Sequence, residues 1–297
     1  MTAGLSSGTI PSRLQALALW ILAWFAMMAV GLGVARASAA LGKATGIDAA
    51  TLGDPATSPV FWSPTWISLG TLANELTLAA VLLVAIWILK PSLAAVAPLG
   101  PATFFGLSGA VLTVFGLAPA AGAAAELCHR LVGNEFTAAR IVTSAARAAG
   151  PAELVLLIVC LALAPALVEE AMFRGFVTAA FARRSMAAAL VVPSLMFGLF
   201  HLEPTQVAGT IVLGLGFGLA RLCTNSLLPA ILAHALNNAA AILAARYAGE
   251  LSEHREIDPL SVLFGFAVSG VGIGLLIRER RRLSFRATEE TRAPPPA

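Results

Sequence analysis

The sequence predicts an all-α polytopic membrane protein. The bundle has about eight transmembrane helices, with its functional residues among the helices of the second half. Three observations carry that reading. Hydrophobic residues make up 58% of the 297-residue chain and charged residues only 12%, against roughly 25% charged in a soluble domain. The apolar runs are continuous and rich in Ala and Leu, at the length of about 17–25 residues that a membrane helix requires. Strands of about ten alternating residues, the mark of a membrane barrel, are missing. In lipid only helices and closed barrels satisfy their own backbone, so helices remain. The mean hydropathy of +0.85 agrees.

Taken in order, the spans fall at about 14–35, 66–89, 104–125, 151–172, 186–202, 205–221, 227–246 and 260–277. The first begins after Arg13 and runs to Ala35, and the VARASAA that follows resembles a signal-peptide cleavage site. Its apolar core is longer than the roughly 7–15 residues of a signal peptide. It reads as a membrane helix, with cleavage as the alternative. Residues 37–65 form a loop rich in Gly, Pro and Ser. The connector 126–150 has mixed charge and some helical periodicity, and reads as an interfacial helix rather than a plain loop. The domain division is therefore a short N-terminal segment (1–13), one membrane-embedded domain (14–277) with a core at 150–246, and a basic, then disordered tail (278–297). No internal repeat is evident.

Charge adds orientation and excludes one class. The net charge of +3 is concentrated in RERRRLSFR (278–286). Basic residues beside an apolar segment mark the cytoplasmic face, where they also meet anionic lipid. That account suffices without nucleic acid. With both termini inside, eleven basic residues lie in the cytoplasm and seven outside, with Arg174 in the membrane. The three cysteines, Cys128, Cys160 and Cys223, show no CxxC spacing, so neither a disulfide framework nor a zinc knuckle is indicated.

Polar residues inside the spans cluster late in the chain. LAPALVEEAMFRGFV holds Glu169, Glu170 and Arg174; SLMFGLFHLEP holds Phe197 and His201; PAILAHALNNAA holds His234 and Asn238. A charge at the bilayer centre costs about 2.5–3.5 kcal/mol even on lenient scales, so three in one helix need a reason. Residues four apart share a helix face, which pairs Glu170 with Arg174 and His234 with Asn238. Glu169 points about 100° away from the ion pair. Pro165 removes a helical hydrogen bond beside them. Each feature has a plain structural reading: a glutamate pair near a helix end is a common interfacial charge, and membrane histidines often only bridge helices. Glu75, in TLANELTL, reads as an interfacial or helix-packing residue, and His129 and His254 as solvated. The plain readings do not account for the combination.

EEAMFR, FGLFH and HALNN, in this order, resemble the three motifs of the CPBP intramembrane endopeptidases, also called the Abi or CAAX prenyl protease type 2 family. The family patterns EExxxR, FxxxH and HxxxN (or HxxxD) are met without departure over about residues 150–246, a third of the chain. The resemblance implies a multi-pass protease in the cytoplasmic membrane of a bacterium. Its substrate would be a membrane-associated protein or peptide; the family includes members that act on prenylated ends and on C-terminal sorting tails. It implies Glu169 as the catalytic glutamate, Glu170 with Arg174 as its support, His201 on the water, and His234 with Asn238 on the oxyanion. No cofactor is needed in that scheme. Three rivals remain. One is a zinc protease with Glu169, His201 and His234 as ligands, although HExxH is absent. Another is a transporter or channel using the same ionisable groups, and the last is a non-catalytic scaffold.

Overall fold

A computed structural model describes residues 9–44, 63–133, 138–247 and 257–292, and among these every regular element is a helix. The centre of the 37–65 loop, His254, Arg255 and the last five residues, 293–297, lie outside the described residues. The order is α1 (Arg13–Ala44), α2 (Pro64–Leu89), a single turn α3 (Leu93–Val96), α4 (Phe104–Val132), α5 (Ala138–Ala148), α6 (Pro151–Ala182), α7 (Met186–Phe200), α8 (Pro204–Thr224), α9 (Leu228–Tyr247) and α10 (Pro259–Arg292). Each of the eight expected spans has its helix. Seven are long and apolar enough to cross a bilayer, whereas α7 has only 15 residues. At about 1.5 Å per residue it falls short of a hydrocarbon core about 30 Å thick.

Local sequence explains the helix ends. Ser63 and Thr103 accept hydrogen bonds from Trp66 N and Gly106 N at the starts of α2 and α4, and Ser185 accepts from Ala188 N at the start of α7. These are the N-caps expected of Ser and Thr. Asn225 ends α8 in the left-handed region, at φ 51°, a conformation Asn tolerates better than most residues. The connector 126–150 is helical on both sides of residues 134–137, which lie outside the description: α4 runs on to Val132 and α5 follows. Ala145 and Ala146 of α5, with Ala149 just beyond its end, are buried in one cluster with Leu157 and Ile242, while Arg147 is exposed. Helix α10 continues past 277, through the basic cluster and on to Arg292, where the sequence reading placed a disordered end. Residues 278–292 contain no Gly or Pro, and Glu, Arg and Ala all favour helix.

Helix α1 belongs to the bundle. Ala16, Leu19 and Ala23 are buried in the main core, and the Trp20 indole donates to the Met196 carbonyl at 3.0 Å. On the far side, α4 lies directly against α10: a Cβ on Gly116 would overlap the Ser269 backbone. Small residues at such crossings let membrane helices approach closely. Large apolar side chains cover the outside, with Leu14, Trp87, Phe104 and Phe264 all more than 70% exposed. Water would penalise that surface, and hydrocarbon accepts it.

Candidate active site

Helix α6 carries the glutamates and is wound unevenly. Two π-helical stretches, Val159–Leu163 and Ala171–Val177, flank the α-helical Ala164–Glu170. The Thr178 hydroxyl donates five residues back to the Phe173 carbonyl at 2.9 Å, which marks the wide turn. Such π turns concentrate at functional sites; from the sequence only the hydrogen bond lost at Pro165 is expected. Pro165 has no N–H to give Leu161, its i−4 acceptor. The carboxamide of Asn238 donates to that Leu161 carbonyl instead, at 3.2 Å, and ties α9 to α6.

Glu170 and Arg174 lie sealed in the interior, both fully buried, with Nη1 donating to Oε1 at 3.0 Å. The second guanidinium nitrogen donates to the Gly214 carbonyl at 3.0 Å. A Cβ on Gly214 would stand 3.2 Å from that nitrogen, so a side chain there would crowd it. The guanidinium also lies 4.4 Å from the centre of the Phe197 ring and 5.1 Å from that of Phe217, in the range of a cation–π contact. This Phe197 begins FxxxH, so its ring serves the arginine of another motif.

His234 joins the two glutamates. Its Nδ1 is 3.0 Å from Glu170 Oε1 and its Nε2 is 3.7 Å from Glu169 Oε2. The ring stacks on Phe217 at 4.6 Å. His201 ends α7, and its Nδ1 meets the Phe197 carbonyl at 3.0 Å. A carbonyl can only accept, so Nδ1 carries the hydrogen and Nε2 is left for another partner. Leu202, next in the chain, takes φ 64° to turn the chain sharply into α8.

Glu169, His201, His234 and Asn238 all line one cavity of about 920 Å³. Its mostly apolar wall also includes Trp24 and Met27 of α1 and Ile141 of α5. All six sequence-predicted residues are thus assembled: four face the cavity, while Glu170 and Arg174 stand behind it. Among the described residues, no three His, Cys, Asp or Glu side chains are grouped closely enough to hold a metal. Cys160 and Cys223 are buried, free thiols.

Glu75 departs from its sequence reading. It lies mid-helix in α2, is 4% exposed, and lines the cavity with Thr71 and Asn74 on the same face. The available signal was the one that singled out Glu169: an ionisable residue inside an apolar run.

A model of the Rce1-like type II CAAX prenyl endopeptidases matches residues 151–240, from the first turn of α6 to the middle of α9, and so takes in all three motifs. No curated protein and no solved structure matches the chain. Over residues 151–240, the chain is therefore similar to the Rce1-like type II CAAX prenyl endopeptidases.

Proposed function

We propose that the protein is a glutamate-dependent intramembrane endopeptidase that hydrolyses a peptide bond of a membrane-associated protein or peptide. One observation carries the reading: Glu169 faces the cavity beside His201, His234 and Asn238, while Glu170 and Arg174 pair behind it. Glu169 takes a proton from water as general base, and His201 Nε2 accepts the water's other O–H. Water attacks the scissile carbonyl, and the proton on Glu169 passes to the leaving amine. No acyl-enzyme forms and no metal is required. Asn238 has a second N–H beyond the one held by Leu161, and this N–H donates to the oxyanion.

His234 has a more restricted part than the sequence suggested. Glu170 already accepts from Arg174, and it accepts from His234 Nδ1–H as well. His234 Nε2 therefore donates to an oxyanion only when the ring carries both protons. Otherwise it accepts a proton, as a relay beside Glu169. Removing one oxyanion donor from a dry site costs about 3–4 kcal/mol of barrier.

With α7 counted as a crossing, the termini share one side, and the basic end of α10 supports the cytoplasmic side for both, in the bacterial inner membrane that the family resemblance implies. The decisive experiment compares the membrane proteome of wild-type cells with that of Glu169→Gln cells. Unprocessed termini should accumulate in the mutant. An identical set of termini, with the mutant protein folded and inserted, would sink the reading.

A further inference from the structure

Glu75 is the acidic group of the cavity that the hydrolytic scheme leaves unused. Its carboxylate is almost wholly buried, and Oε2 has no hydrogen-bond partner. Asn74, beside it on the cavity face of α2, likewise has an unpartnered Oδ1. Both orphan atoms are acceptors, and no donor of the wall reaches either of them. Arg174 stands behind the cavity and turns its two terminal guanidinium nitrogens to Glu170 and to the Gly214 carbonyl. His234 is held between Glu169 and Glu170. Glu75 lies within electrostatic reach of Glu169, which adds like charge rather than relief. A buried carboxylate in this state is costly unless a cation or donor arrives.

We propose that Glu75, with Asn74 beside it, is a subsite for a basic side chain of the substrate, a lysine or arginine close to the scissile bond. The reading rests on the peptidase function proposed above and adds to it a substrate chemistry. An arriving ammonium or guanidinium supplies the donors that both acceptors lack and favours the ionised form of Glu75. The apolar remainder of the cavity takes the hydrophobic residues around it. A substrate of this kind is a membrane-associated segment that carries one basic residue at the cut.

The test uses full-length protein in nanodiscs. A hydrophobic peptide library first locates the cut by mass spectrometry. One residue is then walked through the flanking positions as Lys, norleucine or Glu. At one position wild type should cut the Lys peptide with kcat/KM about 10- to 100-fold above norleucine, the range of one buried charge-assisted hydrogen bond. Glu75→Gln should collapse that ratio to near one, chiefly through KM, and Glu75→Lys should turn the preference toward the Glu peptide. The subsite is overturned if wild type shows no Lys preference at any position. It is also overturned if Glu75→Gln keeps the preference, or lowers both peptides equally while Glu75→Lys gains nothing. Wild type and Glu169→Gln alike cutting no peptide would instead overturn the peptidase reading, and the subsite with it.

Discussion

The sealed Glu170–Arg174 pair permits a quantitative test of how the site is held. Arg174→Met keeps a long apolar stem but removes the bonds to Glu170 Oε1 and the Gly214 carbonyl, both 3.0 Å. Both residues are fully buried, so solvent does not screen the loss. Breaking such a pair from one side costs about 3–5 kcal/mol, because a buried carboxylate is left without its cation. The abandoned Gly214 carbonyl adds about 1 kcal/mol, the low end for an unsatisfied polar group. Arg174→Met should therefore lose about 4–6 kcal/mol, as these costs sum. Glu170→Gln keeps an acceptor for Arg174 and His234 but strands the guanidinium, and should cost about 2–4 kcal/mol. The double variant removes both charges and retains only the Gly214 and shape penalties, about 1–3 kcal/mol. Unfolding by SDS in mixed micelles, followed by tryptophan fluorescence, measures all four proteins. The cycle should show a coupling of about 3 kcal/mol or more. Single losses that simply add, within about 0.5 kcal/mol, would refute the claim that the two charges exist for each other.

Other expectations follow from the same geometry. Glu169→Gln and His201→Ala should each lower kcat/KM by about 100-fold or more, as loss of a general base or its water partner does, with the SDS unfolding midpoint held near wild type; a folded variant with undiminished cleavage contradicts the assignment. Full activity should survive removal of metal by chelation, whereas loss of activity restored by Zn²⁺ would return Glu169, His201 and His234 to the role of ligands. Gly214→Ala places a Cβ 3.2 Å from both Arg174 Nη2 and Ser194 Cβ, and should destabilise by about 1–3 kcal/mol in the same titration. Trp20→Phe removes the indole bond to Met196 and should cost about 1 kcal/mol; no change would argue that α1 is only loosely attached.

The spans were legible because lipid imposes a simple rule, that a helix of about 20 apolar residues satisfies its backbone alone. The rule is silent about what happens inside a helix. The π turns at Val159–Leu163 and Ala171–Val177 leave no periodic signature in LIVCLALAPALVEEAMFRGFV, since every position is apolar or functional. Hydropathy also overstated α7, which carries a span-like composition on only 15 residues. At the other end of the chain, the tail was read from its polarity, yet charge alone does not break a helix, and the breakers begin only at Pro294.

The site was legible because its residues break the lipid rule, and each break needs a partner. EExxxR pairs within one helix, so Glu170 with Arg174 could be read from i,i+4 spacing. Partners from distant segments could not be read in the same way. Gly214 is one glycine among many in α8, and only the fold shows its carbonyl beneath a guanidinium. Glu75 sits 94 residues before Glu169, in a helix with no motif, so nothing local linked them. Asn238 shows the limit most clearly. Its spacing from His234 suggests that both serve one point in space, and both do line the cavity. Yet one Asn238 N–H is held by the Leu161 carbonyl, the acceptor that Pro165 cannot satisfy. The proline on α6 and the asparagine on α9 thus complete one hydrogen-bond account, and that bond fixes the carboxamide at the cavity that Glu169 lines. An Asn238→Ala variant consequently loses two things at once, a bond that ties α9 to α6 and a donor at the cavity. Pro165→Ala, which restores a backbone N–H to α6, separates them: stability should become less sensitive to Asn238→Ala in that background, while cleavage should still fall.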